Sequence, residues 1–195
     1  MSPELLALAD ATKGWLHPSE GMALYDAAAS CSGPFLEVGT YCGKSTVFLG
    51  AAAKANKTVL FTVDHHRGSP EMAADRECHD PEVLDAWGDH DTLLTLRRTL
   101  LLADLESTVI PVVGSTATVG PHWTTRVGFA FIDAAHDDDG VMLDATTWGR
   151  HVRRDGIIAF HDTTIPGIAR AVEHLLATGF NDEGTVDTLR LLRRE

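Results

Sequence analysis

The feature that most constrains this chain is a set of apolar runs that stop at a glycine or an acid and are interleaved with helix-spaced segments. The runs are PFLEV (34–38), TVLFTVD (58–64), TVIPVVG (108–114), VGFAFID (127–133) and GIIAFHD (156–162). Runs this apolar, without a polar alternate face, read as strands covered on both sides. Helical spacing recurs over Ser45 to Ala55, at Leu93, Leu96, Leu100 and Leu101, at Val141, Ala145, Trp148 and Val152, and at Ile168, Val172, Leu175 and Leu176. Such alternation predicts an α/β fold: a mostly parallel sheet with helices on both faces. TVDTLRLL (185–192) closes the chain as a last strand, for six to seven in all. Pro111 marks 108–114 as an edge strand or a bulge, because proline cannot donate to a ladder. Residues 1–32 read as N-terminal helices, broken at His17-Pro18, with Ser19 as the N-cap of the second.

A chain of 195 residues suits one well-cored domain, 1–195. Its net charge of −12, from 16 basic and 28 acidic side chains, argues against a nucleic-acid partner. No apolar run reaches the ~18 residues of a membrane span, and MSPELLALAD lacks a basic signal-peptide start, so a cytoplasmic protein is expected. Cys31, Cys42 and Cys78 are odd in number and lack CxxC spacing, which reads as reduced thiols. Histidine is over-used: there are 10 His against 2 Tyr. Several fall in 65–91, a polar stretch without periodicity that breaks the alternation and reads as a lid or an acceptor-binding loop.

In open parallel sheets ligands bind outside the carboxyl ends of the strands. Gly39, Asp64, Gly114, Asp133 and Asp162 all fall there. The first of these turns, EVGTYCGKST (37–46), admits two readings. Gly43-Lys44-Ser45 ends like a phosphate-binding P-loop, with FAFID (129–133) as its acidic strand, which would make a nucleotide-dependent kinase. That motif needs glycine at position 38, which is Val38. The second reading fits better. Glu37-Val38-Gly39-Thr40-Tyr41-Cys42-Gly43 resembles the first motif of class I S-adenosylmethionine methyltransferases, acid-x-Gly-x-x-x-Gly. An acid about twenty residues beyond the glycines, here Asp64, suits the ribose hydroxyls. The resemblance implies a Rossmann-like class I methyltransferase fold and S-adenosyl-L-methionine as cofactor. It places Glu37 towards the cationic methionine end, Gly39, Tyr41, Gly43 and Ser45 around the turn, and Ser115 beside the adenine. A non-catalytic nucleoside-binding module would share this turn and show no metal dependence.

IDAAHDDDG (132–140) and AFHDT (159–163) resemble the metal-dependent O-methyltransferases, both the catechol type and the small actinobacterial enzymes that methylate sugars and natural products. The resemblance implies Asp133, His161 and Asp162 as metal ligands, with Asp133 also bordering the cofactor, and His136 as general base. Two hard carboxylates suit Mg²⁺, and a neighbouring imidazole suits proton removal near neutral pH. His161 departs from the pattern, which more often has a carboxylate or amide there, and Mg²⁺ accepts imidazole poorly. His161 is therefore open as a ligand of a Mn²⁺-tolerant site, a residue behind the ligands, or another base. Asp137, Asp138 and Asp139 read as a solvated loop and helix cap. Trp148 reads as core, Trp123 as packing or pocket border, and Trp87, His65, His66 and Arg67 as possible acceptor contacts. The implied acceptor is a hydroxylated small molecule, a saccharide and at its narrowest a mannoside. A homodimer is the family-level expectation.

Overall fold

The structure of the protein is a computed structural model that describes residues 1–73, 76 and 79–195. Its strands are β1 (Phe35–Val38), β2 (Leu60–Asp64), β3 (Val109–Val113), β4 (Val127–Ile132), β5 (Val152–Phe160), β6 (Phe180–Val186) and β7 (Leu189–Arg194). They form one sheet in the order β3-β2-β1-β4-β5-β7-β6. The first five run parallel, and β7 is antiparallel to both β5 and β6. The order reverses between β1 and β4, which opens a crevice at their carboxyl ends. The helices are α1 (Pro3–Ala11), α2 (Pro18–Ala29), α3 (Lys44–Ala55), α4 (Leu93–Leu102), α5 (Thr116–Val119), α6 (Asp138–Gly149) and α7 (Pro166–Leu176). This is the mostly parallel α/β sheet expected from the alternation, with seven strands among the described residues, and it has the arrangement implied by the resemblance to class I methyltransferases.

The two-residue period of a strand divides the core between two faces. Phe35, Phe129 and Phe131 pack with Leu24, Phe48, Leu49 and Leu96 from α2, α3 and α4. Leu36, Ala130 and Ile132 pack with Val141, Trp148, Ile168 and Val172 from α6 and α7. Each such fully buried large apolar side chain contributes about 1.5–3 kcal/mol. Glu37 shares the parity of Phe35 and so points towards α3.

Several boundaries differ from the sequence reading. The N-cap of α2 is His17, not Ser19: Pro18 occupies the first helical position, which tolerates a missing N–H, and the Glu20 carboxylate accepts from the His17 amide. Helix α1 stops at Ala11, with Thr12 extended, so Trp15 and Leu16 lie outside it. Val152 opens β5 opposite Val127 and is not a helical position. The closing segment is a hairpin rather than one strand, with β6 and β7 joined at Asp187-Thr188. Strand β6 (FNDEGTV) is exposed along most of its length, so no apolar run announces it. Helix α5 has four residues, too few for a period to show. Pro111 does sit in the edge strand β3. Cys31 and Cys42 are buried free thiols, and Cys78 lies outside the described residues. Among the described residues no helix is long and apolar enough to cross a membrane.

Candidate active site

The turn after β1 is shaped by a close approach to the end of β4. Gly39 has φ +86°, and a Cβ placed on it would lie 2.0 Å from the Asp133 carbonyl oxygen. Backbone cannot yield as a flexible side chain does, so only glycine fits. Asp64 braces the same turn: its Oδ2 accepts from the amides of Thr40 (2.8 Å) and Tyr41 (3.0 Å), and its Oδ1 from that of His66 (2.7 Å). Gly39→Ala is expected to cost about 2 kcal/mol or more and to abolish S-adenosylhomocysteine binding, read by thermal melting and calorimetry. An unchanged melting temperature together with unchanged binding would show that the turn tolerates a side chain.

Glu37 and Gly43 are not on the cleft wall. Glu37 is fully buried and accepts from Ser45 Oγ (2.6 Å) and Thr46 Oγ1 (2.7 Å), which fastens the first turn of α3 to β1. Burial pushes its carboxyl up to about 8, against the pull of those two hydroxyls. The expectation that Glu37 faces the methionine end is therefore corrected by strand parity, which turns it to the helix side. Gly43 caps α3 in the left-handed region, φ +94°, where a Cβ would meet Leu96 at 2.8 Å, so it serves helix packing. Lys44, the residue a P-loop would aim at phosphate, donates to the carbonyls of Asp10 (3.3 Å) and Thr12 (3.2 Å) at the end of α1. That leaves the kinase reading without its cation.

The carboxyl ends of the strands surround a cleft of about 1080 Å³. Gly39, Tyr41, Ser45, Asp64, Ser115, Asp133, His136, His161 and Asp162 line it, so the structure brings together most of the expected site residues. Ser115 caps α5 by accepting from the Thr118 amide, and so sits at the mouth of that short helix. The Tyr41 ring lies 5.1 Å from the Trp15 ring, and its hydroxyl donates to Asp80 Oδ2 (2.9 Å). Lys13 Nζ lies 2.6 Å from both Asp80 and Glu82. These contacts tie Asp80 and Glu82 to the rim, which sequence reasoning did not foresee because the partners are far apart in the chain. His66 is buried against Thr92 Oγ1 (2.8 Å), whereas Trp87 is exposed to solvent. Trp123 packs edge-on against Phe61 and Trp148 and serves as packing.

Beyond β4 and β5 the acidic and histidine groups converge. Asp133, His136 and Asp162 each offer a donor atom, and these atoms all lie within 4.8 Å of one another. His136 Nε2 lies 3.8 Å from Asp162 Oδ2. His161 stands beneath this trio. Its Nδ1 is 3.4 Å from Asp133 Oδ1 and 3.3 Å from Asp162 Oδ2, and its Nε2 is 3.0 Å from Glu20 Oε2. Burial alone would lower the imidazole, but the Asp133, Asp162 and Glu20 carboxylates outweigh it and push it up to about 11. Of the roles left open for His161, the geometry favours a residue behind the ligands: it is not in the converging trio, and its two ring nitrogens face Glu20 and the aspartate pair. Its hydrogen bond holds Asp162 below the usual carboxylate range, while burial keeps Asp133 above it. Glu20 was missed because it lies 141 residues before His161 in the chain, and no motif or spacing links the two.

The sheet order and the glycine turn beside two strand-end acids define a class I methyltransferase scaffold. The chain belongs to the methyltransferase-domain family, whose model matches residues 36–163. It is similar in fold to the O-methyltransferase TomG from Streptomyces achromogenes in complex with SAM, at 18% identity and TM-score 0.69, covering 100% of this chain and 91% of that one. It is also similar to the O-methyltransferase from Bacillus cereus in complex with SAH, at 16% identity and TM-score 0.66, covering 98% and 89%. A third likeness is to the SAH-bound methyltransferase PaMTH1 from Podospora anserina, at 14% identity and TM-score 0.70, covering 100% and 89%.

Proposed function

We propose that the protein transfers a methyl group from S-adenosylmethionine to a hydroxyl oxygen of a small molecule, with a saccharide as the acceptor class. The observation that carries this is the convergence of Asp133, His136 and Asp162 on the wall of the cleft that begins at Gly39 and Asp64. The two carboxylates are hard donors for Mg²⁺ or Mn²⁺, and their contacts with His161 fix them in place. A divalent cation held by Asp133 and Asp162 would lower the pKa of the acceptor hydroxyl. His136 takes the proton at Nε2, the oxygen attacks the sulfonium methyl in line, and the C–S bond breaks to leave S-adenosylhomocysteine. Asp64 receives a ribose hydroxyl through the Oδ1 lone pair that the backbone amides leave open. Ser115 and its neighbours border the adenine.

A saccharide is supported by the resemblance to sugar-methylating enzymes and by the rim. There Trp15 presents an exposed ring beside a second recess of about 360 Å³ that includes His17, Asp187 and Thr188. An aromatic face with hydrogen-bonding neighbours suits a sugar ring. The test pairs calorimetry with labelled methyl transfer to a panel of hydroxylated acceptors, mannosides included. S-adenosylhomocysteine is expected to bind, ATP is not, and turnover is expected to stop with EDTA. ATP binding without S-adenosylhomocysteine binding would overturn the proposal.

A further inference from the structure

We propose that Glu20, on α2, is a positioning residue that acts through His161 on the carboxylates of Asp133 and Asp162. This rests on reading those two aspartates as cation ligands. Glu20 is 2% exposed and has a partner on every side. Its Oε1 accepts from the Thr188 amide (2.9 Å) and hydroxyl (2.8 Å), and its Oε2 accepts from the His17 amide (3.1 Å) and faces His161 Nε2 (3.0 Å). A carboxylate held from two elements cannot swing. It fixes the plane and rotation of the His161 ring, which is itself buried. The ring's other nitrogen then stands at 3.3–3.4 Å from one oxygen of each aspartate. The β6–β7 turn, Glu20, His161 and the aspartate pair thus form one braced line.

Partners behind metal ligands commonly orient them and tune their affinity. The competing account is that Glu20 only straps α2 to the β6–β7 turn. The Thr188 and His17 contacts would suffice for that, but they give no part to the fourth partner, the buried His161 ring 3.0 Å from Oε2.

Mn²⁺ affinity of the full chain, titrated by electron paramagnetic resonance, separates the two accounts, with S-adenosylhomocysteine affinity measured in parallel. Glu20→Gln keeps the size and the Thr188 contacts, and replaces the acceptor that faces His161 and the His17 amide with a donor. It is expected to weaken Mn²⁺ binding by about 10–100-fold and to leave S-adenosylhomocysteine binding unchanged. Because Glu20 acts through His161, the double variant with His161→Gln should bind Mn²⁺ no more weakly than His161→Gln alone. Mn²⁺ affinity within about twofold of the parent, or fully additive losses, would overturn the proposal. If Glu20→Gln does not fold, Glu20→Asp decides: its shorter reach withdraws the carboxylate from His161, and parent-like Mn²⁺ affinity would overturn the positioning role. A parent that binds S-adenosylhomocysteine but no Mn²⁺ would overturn the positioning role and the cation reading, while the methyl-donor reading would stand.

Discussion

Asp133→Asn is expected to lower kcat by roughly 10³-fold, the scale seen when one preorganised electrostatic group is removed from a reacting centre. Asparagine keeps the shape at the end of β4 and removes the charge. It leaves His161 facing one carboxylate fewer, with Asp162 as the remaining aspartate beside it. The backbone carbonyl of residue 133, which sets the Gly39 approach, is unchanged by the substitution. S-adenosylhomocysteine affinity should therefore stay near that of the parent while Mn²⁺ affinity and turnover fall together. Steady-state kinetics across a Mn²⁺ series, with calorimetry for the nucleoside, checks both halves. A kcat within about tenfold of the parent would remove Asp133 from the chemistry.

The residues at the strand ends were legible because the physics there is local. An apolar run buried on both faces must stop at the crevice, and the polar residue that stops it is delivered to the ligand. Asp64, Asp133 and Asp162 follow that rule. Glu37 does not, since it lies inside β1, and strand parity turns it towards α3. The parity was present in the sequence, as Phe35 and Glu37 are two residues apart on one strand. His161 and Glu20 were illegible for another reason. What His161 does depends on three carboxylates, one of which comes from a helix at the other end of the chain. The hairpin of β6 and β7 stayed hidden because an exposed edge strand can satisfy its ladder with Asn, Asp, Glu and Thr and needs no apolar signal.

His136→Ala is expected to reduce kcat by about 10²–10⁴-fold, the range for losing a positioned proton acceptor. His136 follows Asp133 by three residues in the loop that enters α6, and Asp137, next in sequence, caps that helix by accepting from the Gly140 amide (2.9 Å). A capped helix start immediately after it restricts the loop, so the imidazole is held at the cleft. It is partly buried there, with Nε2 3.8 Å from Asp162 Oδ2. From that place the ring could remove the acceptor's proton or donate to the cation, and the variant separates the two. As a base, its loss lowers kcat while Mn²⁺ affinity and the KM for S-adenosylmethionine hold. As a ligand, its loss weakens Mn²⁺ binding, and added Mn²⁺ restores kcat. With the cation held as proposed by Asp162 and Asp133, an imidazole beside them would contribute most by accepting a proton that neither ionised aspartate is basic enough to take. Turnover that falls and is not restored by excess Mn²⁺ is therefore the expected result, and full turnover at any Mn²⁺ concentration would sink the assignment.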